Sequence, residues 1–274
     1  MIFLGLPHGA LDYLVPLWLK HQRLTPRYLL FFILGYAACV AAYLFFWNAS
    51  PAAALVVFLL FSWLHWGQGD AYFLEVFARR PPARFWPERL NRWLVRGGLP
   101  IILPVLAFPR VFGQVTGGIL SWYGGRGGWQ VESHWRIAGI ITLAALTTAY
   151  LRQSWLGKKE GFWQDAGEVG LLLIYFTAVP PILAVGVYFC VWHSARHIAR
   201  LMLLEEASLL PMARQAAPMT LGALGLLAGL FVWHSHTFIS AENFVYLYLS
   251  LIAALTFPHF LLVLWMDKEE LTPH

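Results

Sequence analysis

Charge is scarce in this chain. Lys, Arg, Asp and Glu make up 12% of its 274 residues, against about a quarter in a soluble domain. Hydrophobic residues make up 59%, a balance that excludes an ordinary soluble fold. Cysteine is nearly absent. Cys39 and Cys190 both lie inside apolar runs and lack ligand-type spacing, so a disulfide scaffold, a zinc finger and an iron–sulfur site are set aside. No basic leader precedes the first apolar stretch, which itself contains His8 and Asp12. That stretch is therefore expected to stay in the mature protein as a span rather than be removed as a signal peptide. Hydrophobicity does not alternate along the chain, which argues against a β-barrel. The net charge of +5 reports topology, and no nucleic-acid partner is expected.

What the chain has instead is long apolar runs. Candidate spans lie at 2–20, 27–47, 52–77, 97–112, 136–151, 166–179, 182–204, 217–238 and 243–266. A full crossing needs about 20 apolar residues, so 97–112, 136–151 and 166–179 are short and read as tilted, re-entrant or merged. The expected fold is all-α: a polytopic integral-membrane helical bundle of seven to nine transmembrane helices, one domain over 1–274, with a metal site in the bundle core. Fifteen basic residues fall in segments 20–27, 79–96, 152–159 and 200–214 and at Lys268, against Arg110, Arg126 and Arg136 on the other side. By the positive-inside rule the N-terminus is outside and the C-terminus cytoplasmic, in the plasma membrane. The glycine-rich stretch Gly113 to Gly128 reads as an interfacial loop or a flap over an entrance. Aromatic content is high, with 14 Trp, 20 Phe and 11 Tyr. These suit interfacial belts and packing, or the lining of a cavity for a long apolar ligand.

Against this background the histidines stand out. His193 and His197 are four apart in Trp192-His193-Ser194-Ala195-Arg196-His197, one helical turn apart on one face. His8, His65 and His259 also sit in apolar runs. Ionisable groups at membrane depth are costly and usually functional. At a rise of about 1.5 Å per residue, His65, His193 and His197 fall roughly 15–22 Å into their spans. His8 falls about 10 Å in from the outer end of its own. Convergence on a metal in the bundle is the natural reading, since imidazole suits iron, copper or zinc. Ligand histidines usually donate their second N–H to an outer acceptor, and Asp12, Asp70, Gln68 and Glu168 are candidates. Asp12, four after His8, is expected on the same helical face. Asp70 and Glu168 read equally well as residues near the membrane surface. Arg196 is expected to pair with a buried carboxylate or to snorkel. An i, i+4 pair cannot ligate both faces of one haem. A zinc hydrolase would need a general base beside the metal-bound water.

Four motifs carry a resemblance. Gly5-Leu6-Pro7-His8-Gly9-Ala10-Leu11-Asp12, His65-Trp66-Gly67-Gln68-Gly69-Asp70, Tyr188 to His197 and Thr256-Phe257-Pro258-His259 resemble the Brp/Blh family. These are bacteriorhodopsin-related, membrane-bound β-carotene 15,15′-dioxygenases, and the motifs run nearly end to end in the family's order. The resemblance implies Fe(2+) held by His8, His65, His193 and His197. His259 matches a further family histidine, as ligand, outer support or bystander. It implies cleavage of the central 15,15′ double bond of β-carotene or a similar carotenoid with O2, giving two all-trans-retinal. A functional link to a retinal-binding rhodopsin goes with it. Trp66 departs from the phenylalanine expected there, which bears on pocket shape. Two alternatives remain: a related membrane metalloenzyme acting on another polyene or lipid, and a non-enzymatic carotenoid or retinal carrier.

Overall fold

The computed structural model describes residues 6–80, 83, 85–125, 127–157, 159–234 and 241–270, and no strand occurs among them. After a 3-10 turn, Leu6–Gly9, come helices α1 (Val15–Leu19), α2 (Pro26–Ala49), α3 (Pro51–Val76), α4 (Trp86–Ala107), α5 (Pro109–Trp122) and α6 (Ser133–Gly157). Helices α7 (Lys159–Ala178), α8 (Pro181–Leu204), α9 (Leu209–His234) and α10 (Ala241–Glu270) follow. Proline opens α2, α3, α5 and α8, where its missing N–H costs nothing and its fixed φ suits the first turn. Thr25 caps α2 by accepting the Tyr28 N–H at 3.2 Å.

Among the described residues, four helices are long and apolar enough to cross a membrane: Pro26–Ala49, Pro51–Val76, Pro181–Leu204 and Phe244–Glu270. A fifth crossing arises if the bent pair α4 and α5 counts as one broken span; the two meet at 99°. The bend has a local cause. Phe108 is forced out of helical geometry by Pro109 behind it, and Pro109 offers no N–H. The expected count of seven to nine is thus met only to this extent. Helices α6, α7 and α9 occupy the remaining apolar runs.

Three further expectations change. The first run, 2–20, is not one long helix: it holds the 3-10 turn, a bend and the five-residue α1. Asp12 therefore does not share a helical face with His8; its N–H bonds the Gly9 carbonyl at 3.2 Å. The Gly113-to-Gly128 stretch is mostly helix α5, and a Cβ on Gly118 would strike the Tyr246 ring at 2.1 Å. Turn geometry is confined to its end, where Gly124 and Gly127 have φ of +74° and +78°. Finally, Arg96 and Arg200, which the charge pattern assigns to inner loops, are buried and ion-paired within helices. Their carboxylate partners come from distant helices, which no hydropathy window can register.

The chain divides into two compact units. The first comprises Met1–Phe61, Gly118–Arg126 and His197–His274. In it α10 packs on α1, α2, α9 and the 3-10 turn. Leu11, Val15, Leu17, Leu201, Met212, Val263 and Met266 form its core. The second comprises Ser62–Gly117 and Gly127–Arg196. Its α4 lies against α6, α7 and the first half of α8, burying Val95, Leu99, Leu172, Phe176 and Ala184. Within it α3 and α4 approach closely enough to touch backbone to backbone. A Cβ on Gly67 would lie 2.0 Å from the Trp93 carbonyl oxygen, and one on Gly97 would lie 1.9 Å from that of Trp63. Only glycine allows this approach, and the Trp63 indole N–H seals it by donating to the Leu94 carbonyl at 2.8 Å.

Candidate metal centre

His65 and His193 meet in the second unit. His65 rides on α3, two residues before the Gly67 contact. His193 ends a π-helical turn, Tyr188–His193, inside α8. That wide turn is closed by Ser194, whose N–H and hydroxyl both reach the Phe189 carbonyl, the hydroxyl at 2.7 Å. π-Bulges insert a residue and re-aim the side chains that follow, commonly at functional sites. Here the two imidazole Nε2 atoms lie 3.2 Å apart. With a metal–imidazole bond of about 2.0–2.1 Å, two neighbouring ligands of one ion stand about 2.9–3.4 Å apart. The spacing fits a shared ion. Both histidines are buried, and Trp66 lies over His193 with ring centroids 5.5 Å apart and stacks on Phe189. Gly69 faces the same imidazole: a Cβ there would meet His193 Cε1 at 3.4 Å.

The first unit holds a second cluster. His8, at the 3-10 turn, His197, one turn beyond His193 in sequence, and His259, behind Pro258 in α10, form a buried triangle. Their ring centroids are 4.5 Å (His8–His197), 4.7 Å (His8–His259) and 5.1 Å (His197–His259) apart. Asp12 binds His259 Nδ1 through both carboxylate oxygens at 2.9 Å. An Nδ1–H held this way fixes the tautomer and leaves Nε2 to offer its lone pair. The Tyr36 hydroxyl donates to Asp12 Oδ2 at 3.1 Å, with the Leu255 carbonyl as a second acceptor at 3.3 Å. Ligand-type atoms of Asp12, His197 and His259 lie within 4.8 Å of one another. The donor set, neutral imidazoles with one carboxylate and no thiolate, suits a first-row transition metal.

The other predicted acceptors lie elsewhere. Asp70 and Glu168 join Arg96 and Arg196 in a buried ion-pair cluster of the second unit. Asp70 is fully buried rather than near a surface, and Arg196 does pair with buried carboxylates. Gln68 is buried on α3. Sequence reasoning does not single out Tyr36, Arg96 or Trp192. Arg96 directly precedes Gly97-Gly98 at the start of an apolar run, an ordinary place for an interfacial basic residue, so its burial leaves no mark in the sequence.

Comparison with known proteins identifies the family. A family profile described as beta-carotene 15,15′-dioxygenase matches residues 1–267. The chain is 37% identical over 289 aligned positions to a probable beta-carotene 15,15′-dioxygenase, Blh, of Halobacterium salinarum, covering 98% of this chain and 83% of that one. It is 27% identical to the probable beta-carotene 15,15′-dioxygenase Brp of the same species, over 76% of this chain and 58% of that one. A beta-carotene 15,15′-dioxygenase from an uncultured marine bacterium is 25% identical, over 96% and 90% of the two chains. No solved structure matches. With a carotenoid-cleaving profile along almost its whole length and buried histidines where its motifs lie, the chain belongs to the β-carotene 15,15′-dioxygenase family.

Proposed function

We propose that this protein is an integral-membrane, non-haem Fe(II) dioxygenase that cleaves β-carotene at its central 15,15′ double bond. One C=C bond breaks and two C=O bonds form, one atom of O2 going to each half. The products are two all-trans-retinal, and atoms balance without an electron donor. His8, His65, His193 and His197 are the assigned metal ligands, and His259, held by Asp12, completes the set. The observation that carries this is the pairing pattern along one stretch of chain. His193 belongs to the His65 pair and His197, four residues on, to the His8–His259 triangle. Two imidazoles one turn apart on a helix share a face, which suits two ligands of one ion. Fe(II) supplies the binding and activation of O2 when bound.

The chain's own residues account for the rest. Asp12 keeps the His259 tautomer fixed. Trp66, packed over His193, keeps water from that imidazole. The substrate is an apolar rod about as long as the bilayer core is thick, so a site inside the membrane meets it without extraction into water. Orientation of that rod by the protein selects the bond that is cut. No general acid or base is needed, in keeping with buried carboxylates engaged by histidine, tyrosine and arginine. The protein is read as one multi-pass domain with its N-terminus outside and C-terminus cytoplasmic. Retinal leaving it is available to a retinal-binding rhodopsin in the same bilayer.

Expression in cells that accumulate β-carotene tests the reading. Loss of the orange colour with retinal appearing in the extract is the expected result. Unchanged pigment beside an iron-loaded protein would overturn the β-carotene assignment. Zinc in place of iron would overturn the dioxygenase.

A further inference from the structure

Asp70 has the sequence position of an acceptor for a ligand histidine, yet its oxygens bind other groups. Oδ1 accepts from the Trp192 indole N–H at 3.2 Å and from Arg196 Nη1. Oδ2 accepts from Arg96 Nε at 2.7 Å. Trp192 directly precedes His193 and Arg196 follows it by three. One carboxylate on α3 therefore grips α8 on both sides of His193, while the same helix carries His65 five residues earlier. The grip is stiffened from outside. Arg196 stacks over Phe73 and Trp192, 4.5 and 4.3 Å from the ring centroids. Glu168 of α7 binds both arginines. A buried ion cluster is weak evidence for stability, because apolar residues of equal volume serve as well or better. Its presence within about one and a half turns of an imidazole pair points to a need for position instead.

We propose that Asp70 is a positioning residue that sets the separation of the His65 and His193 imidazoles by tying α3 to α8 through Trp192 and Arg196. This rests on the reading of His65 and His193 as metal ligands. It places Asp70 outside the ligand set: its effect on the metal is transmitted by the indole and guanidinium that flank His193.

The test uses the full chain in detergent, loaded with Co(II), whose visible bands report coordination geometry. Asp70→Asn is expected to weaken Co(II) binding about 10–100-fold, as outer-shell substitutions do, and to alter the bands. Trp192→Phe keeps an aromatic, if smaller, ring and deletes the N–H, so it should shift the bands the same way to a smaller extent. Glu168→Gln removes equal charge from the same arginines but leaves Trp192 alone, and should weaken binding less than Asp70→Asn. Wild-type affinity and bands in both Asp70→Asn and Trp192→Phe would overturn the proposal, as would Glu168→Gln matching Asp70→Asn. If Asp70→Asn does not fold, Trp192→Phe decides. His193→Ala separates the two levels. If it retains Co(II), the ligand reading has failed. If it loses Co(II) while Asp70→Asn and Trp192→Phe do not, only the positioning role has failed.

Discussion

The two histidine groups are held in place by opposite means. In the first unit a carboxylate touches an imidazole directly: Asp12 binds His259, and Tyr36 steadies Asp12. In the second unit the carboxylate of Asp70 touches no imidazole that it is seen to bond; it holds the helices that carry His65 and His193. Direct support fixes a tautomer and a ring angle. Indirect support fixes the distance between two elements. The first kind is available where a turn brings a short acidic side chain near a ring. The second is needed where both imidazoles project from long helices whose crossing must itself be set.

Substitutions can break this contrast, and the largest effect is expected from the helix crossing. Gly67→Ala puts a methyl group 2.0 Å from a backbone oxygen, so α3 and α4 must separate. Overpacking of this kind costs about 1–3 kcal/mol or more. A sharp fall in the thermal unfolding midpoint of the detergent-solubilised protein should show it, and a wild-type midpoint would disprove the close approach. His193→Ala comes next. Folding should survive, whereas iron per chain and retinal formation should both fall to background, measured by metal analysis and product extraction. Asp12→Asn replaces an acceptor that faces His259 with a partner that is half donor. Iron affinity should fall about 10–100-fold, read by chelator competition, with thermal stability close to wild type. Tyr36→Phe removes one hydrogen bond to Asp12, worth about 0.5–1.5 kcal/mol. A fall in iron affinity of less than about tenfold is expected, and an effect as large as that of Asp12→Asn would mean that Tyr36 itself approaches the metal. Gly69→Ala should matter least, since its Cβ would meet His193 at 3.4 Å, an ordinary van der Waals distance. A strong loss of iron there would show that the His193 ring has no room to shift.

Much of the helical content and all five histidines could be read from the chain before any coordinates. Apolar runs mark the helices because lipid and core both demand them, and an imidazole in such a run stands out by its cost. Other features were out of reach for identifiable reasons. The 3-10 turn at His8 looks like one more apolar helix, because periodicity over a few residues cannot tell a turn from a helix start. The π-turn at Tyr188–His193 leaves no mark in composition. Arg96 looks like a loop residue because the run before it is basic, and only tertiary contact reveals Asp70 and Glu168 beside it. The Asp12–His259 bond joins residues 247 positions apart, beyond any local pattern.

The π-turn also changes what counts as a mutation in this protein. It holds one residue more than an α-helix would over the same rise. Deleting a single exposed position within it, such as Val191 at 59% exposure, would restore ordinary helical bonding. Because the extra residue is absorbed within the turn, the helix beyond would keep its register, but the side chains of the turn, His193 among them, would be re-aimed. The centre is thus written partly as a length: every histidine can be kept, and the aim of one still changed, by removing a single exposed residue.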